Sequence, residues 1–155
     1  VAPEEPARLS VQETLYPELT CFGCGPANPD GLHLRSFRTG ELTVATFVPR
    51  AEHDNGFGFL NGGIISTVLD CHSAAVVMFE AAQRGYVADE GIPIPFVTAG
   101  LDVRFTRPTP LGPPLDLRAV PVEVSESAVI VTAELSFEGK IRASSTSRWL
   151  RFRSR

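Results

Sequence analysis

Residues 64–79 read IISTVLDCHSAAVVMF, apolar on nearly every side rather than along one stripe, which predicts a helix enclosed by other structure. Arg84 and Gly85 supply signals for its C-terminal end. Before this helix, residues 32–37 and 42–47 alternate as two strands across a turn at Thr39 and Gly40, predicting a first hairpin. After it, a connection over residues 86–95 leads into strand-like segments at 96–105, 115–124, 128–137 and 141–152. Turns at Pro113-Pro114, Ser125-Glu126-Ser127 and Glu138-Gly139 separate them. One long buried helix beside about six antiparallel strands is an α+β layout, in which the sheet must curve to cover the helix round its full circumference. Residues 1–30 read as a lead-in, with scattered apolar positions and a short helix before Pro17, closed by the turn-rich segment CFGCGPANPDG. Residues 31–155 read as the folded domain.

A chain of 155 residues with 43% hydrophobic content can bury the core of one domain and leaves little room for a second. Its formal charge of −4 offers no general attraction to nucleic acid or to an anionic membrane. No run approaches the roughly 20 apolar residues of a membrane span, and no basic segment precedes an apolar one at the start. The expectation is a soluble, cytoplasmic protein. Three cysteines, Cys21, Cys24 and Cys71, do not make a disulfide framework. A metal held by Cys21, Cys24 and His33 would lack the second close pair that structural zinc sites use. The C-x-x-C pair also does not open a helix after a strand, as a thioredoxin-like motif would. The sequence therefore reads as a tight turn with buried thiols, and no metal or cofactor is expected.

The segment with chemistry in it is His53 to His72, HDNGFGFLNGGIISTVLDCH. Gly62 and Gly63 sit where a loop turns into the helix, so unpaired backbone N–H groups there can face a ligand and hold an oxyanion. Asp70 interrupts the apolar helix surface. Burial raises the pKa of a carboxyl group and suits it to act as base or nucleophile, although an isolated helical Asp also often pairs with an Arg or points to solvent. Eight residues on one helix span roughly 12 Å. A reacting carbonyl must lie about 3 Å from both its oxyanion donors and its attacking group. If Gly62 and Asp70 both act, the site is shared between two copies related by a two-fold axis.

The run Asn55-Gly56-(x)4-Asn61-Gly62-Gly63-(x)6-Asp70 resembles the hotdog-fold acyl-CoA thioesterases of the phenylacetate-pathway, PaaI-like type. Their signature is an Asn, a Gly, then His-Gly-Gly and an Asp further along the helix. The later segment Phe96-Val97-Thr98-(x)6-Phe105-Thr106-Arg107-Pro108-(x)3-Gly112 resembles the strand that follows in that family. C-F-G-C-G-x-x-N-P-x-G-L ahead of the first strand is also similar to some members, and implies no metal. The resemblance runs from about Gly31 to Phe152 and implies a hotdog fold, a central helix wrapped by a curved antiparallel sheet. It also implies a homodimer that often pairs into a tetramer, and an acyl-CoA substrate.

Carried over residue by residue, the resemblance implies that Asp70 acts on the thioester carbonyl as general base or nucleophile. It gives the Gly62 N–H the oxyanion, and Asn55 the positioning of carbonyl or water. Thr98 falls where a hydroxyl orients the water, and it equally suits a plain strand position. Asn61 departs from the family's usual His, which puts any titrating step at that position in doubt, while its amide can still donate a hydrogen bond or cap the helix. Gly63, Phe57 and Phe59 are candidates to contact the acyl group, and Arg104 and Arg107 the coenzyme A phosphates. The terminal arginines Arg148, Arg151, Arg153 and Arg155 suit a solvated sheet edge. His53 and His72 suit surface or core positions better than catalysis. Two other readings exist: an enoyl-CoA hydratase, whose Ser-Gly-Asp-x-Asn-Pro-x-His pattern is absent, and a non-catalytic acyl-CoA-binding module.

Overall fold

The computed structural model describes residues 8–155; of the lead-in, residues 1–7 lie outside the described residues. Six strands form one curved antiparallel sheet: β1 (Ser36–Thr39), β2 (Leu42–Phe47), β3 (Phe96–Phe105), β4 (Leu115–Val124), β5 (Ala128–Phe137) and β6 (Lys140–Arg151). Their spatial order is β1-β2-β4-β5-β6-β3. A long helix, α2 (Gly62–Arg84), packs on one face, and a short one, α1 (Val11–Leu15), packs against α2 and β1. This is the hotdog fold.

Strand alternation decides which side chains meet the helix. Leu115, Leu117 and Ala119 of β4, Val129, Val131, Ala133 and Leu135 of β5, and Ala143 and Trp149 of β6 are all buried. Their neighbours Asp116, Arg118, Glu134 and Arg148 are exposed. Full burial of a side chain such as Leu117 contributes about 1.5–3 kcal/mol. Ser147, also on the helix side, accepts a hydrogen bond from the Trp149 indole N–H at 2.9 Å, so the polar atoms of both are satisfied.

The helix starts at Gly62, two residues before the apolar run, because Asn61 caps it there. It stops at Gly85, whose left-handed backbone (φ 69°) suits a residue without Cβ and lets its N–H bond the Ala81 and Ala82 carbonyls. At 23 residues, α2 is long and apolar enough to cross a membrane by length and composition, contrary to the reading of the sequence. Its polar residues are scattered, so they interrupt each apolar run without lowering the average much. Here the helix is the core of the domain, packed against one face of the sheet.

Two further expectations change. Residues 32–34 are not strand: Leu32 N–H bonds Phe22 O at 2.7 Å and Leu34 N–H bonds Gly23 O at 2.9 Å. His33 takes a positive φ of 53° between them, so the ladder begins only at Ser36. Nor does the sheet cover α2 all round. Residues 71–78 are buried without exception, whereas Gly63, Thr67 and Asp70, which share one face by their spacing, stay partly open. The sheet ends at β3, and nothing among the described residues pairs with its outer edge.

Candidate active site

The loop into α2 is held by its own acids and amides. Asp54 Oδ1 accepts from the N–H groups of Gly56 (3.0 Å) and Gly58 (2.8 Å), and Asn55 Oδ1 from those of Phe57 (2.8 Å) and Phe59 (3.3 Å). Gly56 and Gly58, at φ 89° and 82°, give the turn a path that other residues rarely take. Asn61 Oδ1 then accepts from Gly63 N–H (2.8 Å) and Ile64 N–H (3.3 Å), and its backbone carbonyl takes Ile65 N–H (3.0 Å). Of the first four amides of the helix, three are thereby satisfied. Among the described residues no acceptor meets the fourth, Gly62 N–H. The cap thus isolates one free donor at the positive end of the helix dipole.

Asp70 lies two turns further along, half-buried, with Thr98 Oγ1 donating to its Oδ1 at 2.8 Å. A bulge in β3 puts Thr98 there. Gly100, Asp102 and Arg104 pair with Arg148, Thr146 and Ser144 of β6 and share their outward face. Simple alternation would put Thr98 on that face too. The register shift between Thr98 and Gly100 opposes Thr98 to the buried Trp149 instead, turning its hydroxyl toward the helix. Burial raises the Asp70 pKa above the ordinary carboxylate value; the Thr98 hydrogen bond opposes that rise, and Cys21 adds to it. The group is a carboxylate held by one hydroxyl on an open helix face, with no Arg as partner.

A cleft of about 480 Å³ opens at the helix start, lined by Asn55, Phe57, Phe59, Gly62, Phe105 and Arg107, among others. The Phe105 ring stands where a Cβ on Gly62 would meet it at 3.5 Å, in ordinary contact. Phe57, 86% exposed, projects from the loop into water. Arg107 donates from Nη1 to Ile141 O at 3.1 Å. Arg104 is elsewhere, exposed on the outward face of β3 beside Asp102, so the two candidate arginines do not converge. Asp70 and Thr98 do not line this cleft, and Gly63 has its N–H turned to the cap.

The two histidines near the site are structural. His72 is fully buried, with Nε2 donating to Thr43 O (3.0 Å) and Nδ1 accepting from Ser36 Oγ (2.9 Å), and Gln12 of α1 bonds Ser36 in turn. Burial holds its pKa down at about 4, so it is a neutral pin joining α1, β1, β2 and α2. His53 stacks on Phe47, and its Nδ1 accepts from Arg50 N–H. Phe105 was part of the aromatic-Pro-Gly pattern, and its place against Gly62 follows from the strand leading back to the helix start. Cys71, apart from the C-x-x-C pair in sequence, joins Cys21 and Cys24 in space: all three sulfurs lie within 4.8 Å of one another. His33 stays apart, with its ring on Asn28 O.

The family model described as "Thioesterase superfamily" matches residues 57–141, from the loop through β5 and into β6. No match was found among curated proteins. Among solved structures, a thioesterase superfamily protein from Shewanella loihica PV-4 is 31% identical with a TM-score of 0.62, over 82% of this chain and 97% of that one. A phenylacetic acid degradation-related protein from Ralstonia eutropha JMP134 has the same fold at a TM-score of 0.66 and 22% identity, over 90% and 98% of the two chains. The PaaI protein of the E. coli phenylacetic acid degradation operon is similar at a TM-score of 0.62 and 19% identity, over 78% and 80%. With its matched segment covering more than half of its length, the chain belongs to the thioesterase superfamily.

Proposed function

We propose that the chain is an acyl-CoA thioesterase whose active site is completed by a second copy. In this reading Gly62 N–H of one subunit stabilises the oxyanion formed at the thioester carbonyl. Asp70 of the other activates water or attacks the carbonyl itself, with Thr98 holding the carboxylate and positioning the water. Water adds, the C–S bond breaks, and the thiolate leaves to take a proton. Asn55 shapes the loop over the carbonyl, Asn61 fixes the donor through its cap, and Phe57 and Phe59 contact the acyl chain. Arg107 is the nearer of the two arginines to the cleft and takes a phosphate of coenzyme A.

The observation that carries this reading is the free amide of Gly62 on the same helix as the half-buried, hydroxyl-bound Asp70, about 12 Å away along the axis. One copy cannot bring both to one carbonyl. The bare edge of β3 supports the second copy: Val97, Leu101 and Phe105 are exposed along a strand that lacks a neighbour. An antiparallel pairing of two such edges would bring the two helix faces together.

The test is free-thiol release from a panel of short, medium, long and aromatic acyl-CoAs. Asp70→Asn should lose on the order of 100- to 10,000-fold in turnover at unchanged folding. Co-expressing Asp70→Asn with Gly62→Pro subunits should restore about a quarter of the unsubstituted rate, because half of the dimers then carry one intact site. Stoichiometric acyl-CoA binding without turnover by the unsubstituted chain would replace this reading with a binding module. Lack of restoration in the mixed dimers would place the reaction within one subunit.

A further inference from the structure

Beside Asp70, on the flank of α2, the turn at residues 21–25 brings two cysteines against a third. We propose that Cys21, Cys24 and Cys71 form a three-thiolate site for a thiophilic d10 ion such as zinc, tying the N-terminal turn to the central helix. The spacing suits it. With Zn–S bonds of about 2.3 Å, two sulfurs of a tetrahedral site lie about 3.8 Å apart. Cys21 Sγ and Cys71 Sγ are 3.7 Å apart, and each of the three pairs falls within 4.8 Å.

The backbone is built for this convergence. A Cβ on Gly23 would come within 2.2 Å of Cys71 Sγ, so the middle of the turn is glycine where the third sulfur reaches in. A Cβ on Gly25 would meet Cys21 N and Leu19 O at 2.4 Å, so the turn closes tightly only with glycine there as well. Gly25 N–H bonds Cys21 O at 2.8 Å, closing the turn that carries the first two sulfurs.

Simple thiol packing would ask for none of this. Three S–H groups in a core need only volume, whereas here Gly23 has no side chain where one would block Cys71 Sγ, and Gly25 none where one would force the turn open. Cys24 and Cys71 are buried and Cys21 is half-exposed, so an ion enters from the Cys21 side and water completes its fourth position. A bound ion would act on the fold, clamping the turn at residues 21–25 to α2.

The protein, reduced and stripped with chelator, is titrated with Co2+ and then Zn2+. One equivalent of cobalt should bring a thiolate-to-metal charge-transfer band and the visible bands of a tetrahedral ion, displaced by one equivalent of zinc. Zinc at a hundredfold excess over Kd should raise Tm by about 5–10 °C. Cys21→Ser and Cys71→Ser should each abolish the cobalt bands. Because Cys71 is buried and its variant can misfold, alkylation of the unsubstituted chain is counted by mass spectrometry with and without zinc; zinc should protect all three cysteines. Equal labelling in both conditions overturns the proposal, as do cobalt bands that persist in a folded Cys71→Ser chain. Isolation with the mass of a disulfide and no metal uptake after reduction also overturns it, in favour of a redox pair.

Discussion

The two halves of α2 belong to one helix and live in different solvents. From Cys71 to Met78 every residue is buried, and polar groups there are fully spoken for: Ser73 donates to Leu69 O at 2.8 Å and His72 bonds on both sides. From Gly62 to Asp70 the helix keeps an open face, with one unbonded amide and a carboxylate held by a single hydroxyl. The enclosed half supplies the stability that lets the other half keep polar groups incompletely paired. The candidate site and the core packing are thus separated along one element rather than between elements.

Substitutions can break this division at either end. After Asp70→Asn, the largest effect falls on Gly62→Pro. Proline suits the first position of a helix, and Asn61 already holds the extended conformation (φ −61°, ψ 134°) that must precede it. The change deletes the one free N–H, and turnover should fall about 100- to 1,000-fold with Tm nearly constant. Met78→Ala reverses the pattern. It should cost about 2–5 kcal/mol in chemical denaturation and leave the rate per folded molecule unchanged, since Met78 is 3% exposed and far from the open face.

Thr98→Val tests the link between the strand and the acid. Losing a hydrogen bond to a charged group is worth about 1.5–3 kcal/mol, so kcat should drop roughly 10- to 100-fold while Val keeps the strand's packing. A rise in KM with kcat unchanged would mean that Thr98 binds substrate rather than orienting the acid. The smallest change is Asn61→Ala, which should cost about 1 kcal/mol of stability as the cap is lost, with Asn61→Ser recovering most of it. A loss from both variants alike, measured by thermal unfolding, would mean that capping is not what Asn61 provides.

Much of this was legible in sequence because periodicity and punctuation act locally. The ends of β3, β4 and β5 follow from alternation and turns, and the helix end at Gly85 from its left-handed cap. Asp70 and Gly62 stood out as a charge in an apolar surface and a glycine at a helix start. What was hidden depends on partners distant in sequence. The bulge that turns Thr98 inward exists only against β6, and the same pairing sends Arg104 to the outside face. Cys71 joins Cys21 and Cys24 only once the turn packs on α2. His33 breaks the first strand because residues 32–34 bond to that turn instead of to a ladder.

The position of β3 beside β6 sets an order of assembly. Thr98 lies opposite Trp149, which follows it by about fifty residues, so the contact is long-range and its loop-closure entropy must be met before it forms. During synthesis, α2, β4 and β5 can begin to pack while β3 has no neighbour on either side. The hydroxyl therefore reaches Asp70 only after β6 has docked, and the open half of the helix matures later than the core half to which it is covalently continuous.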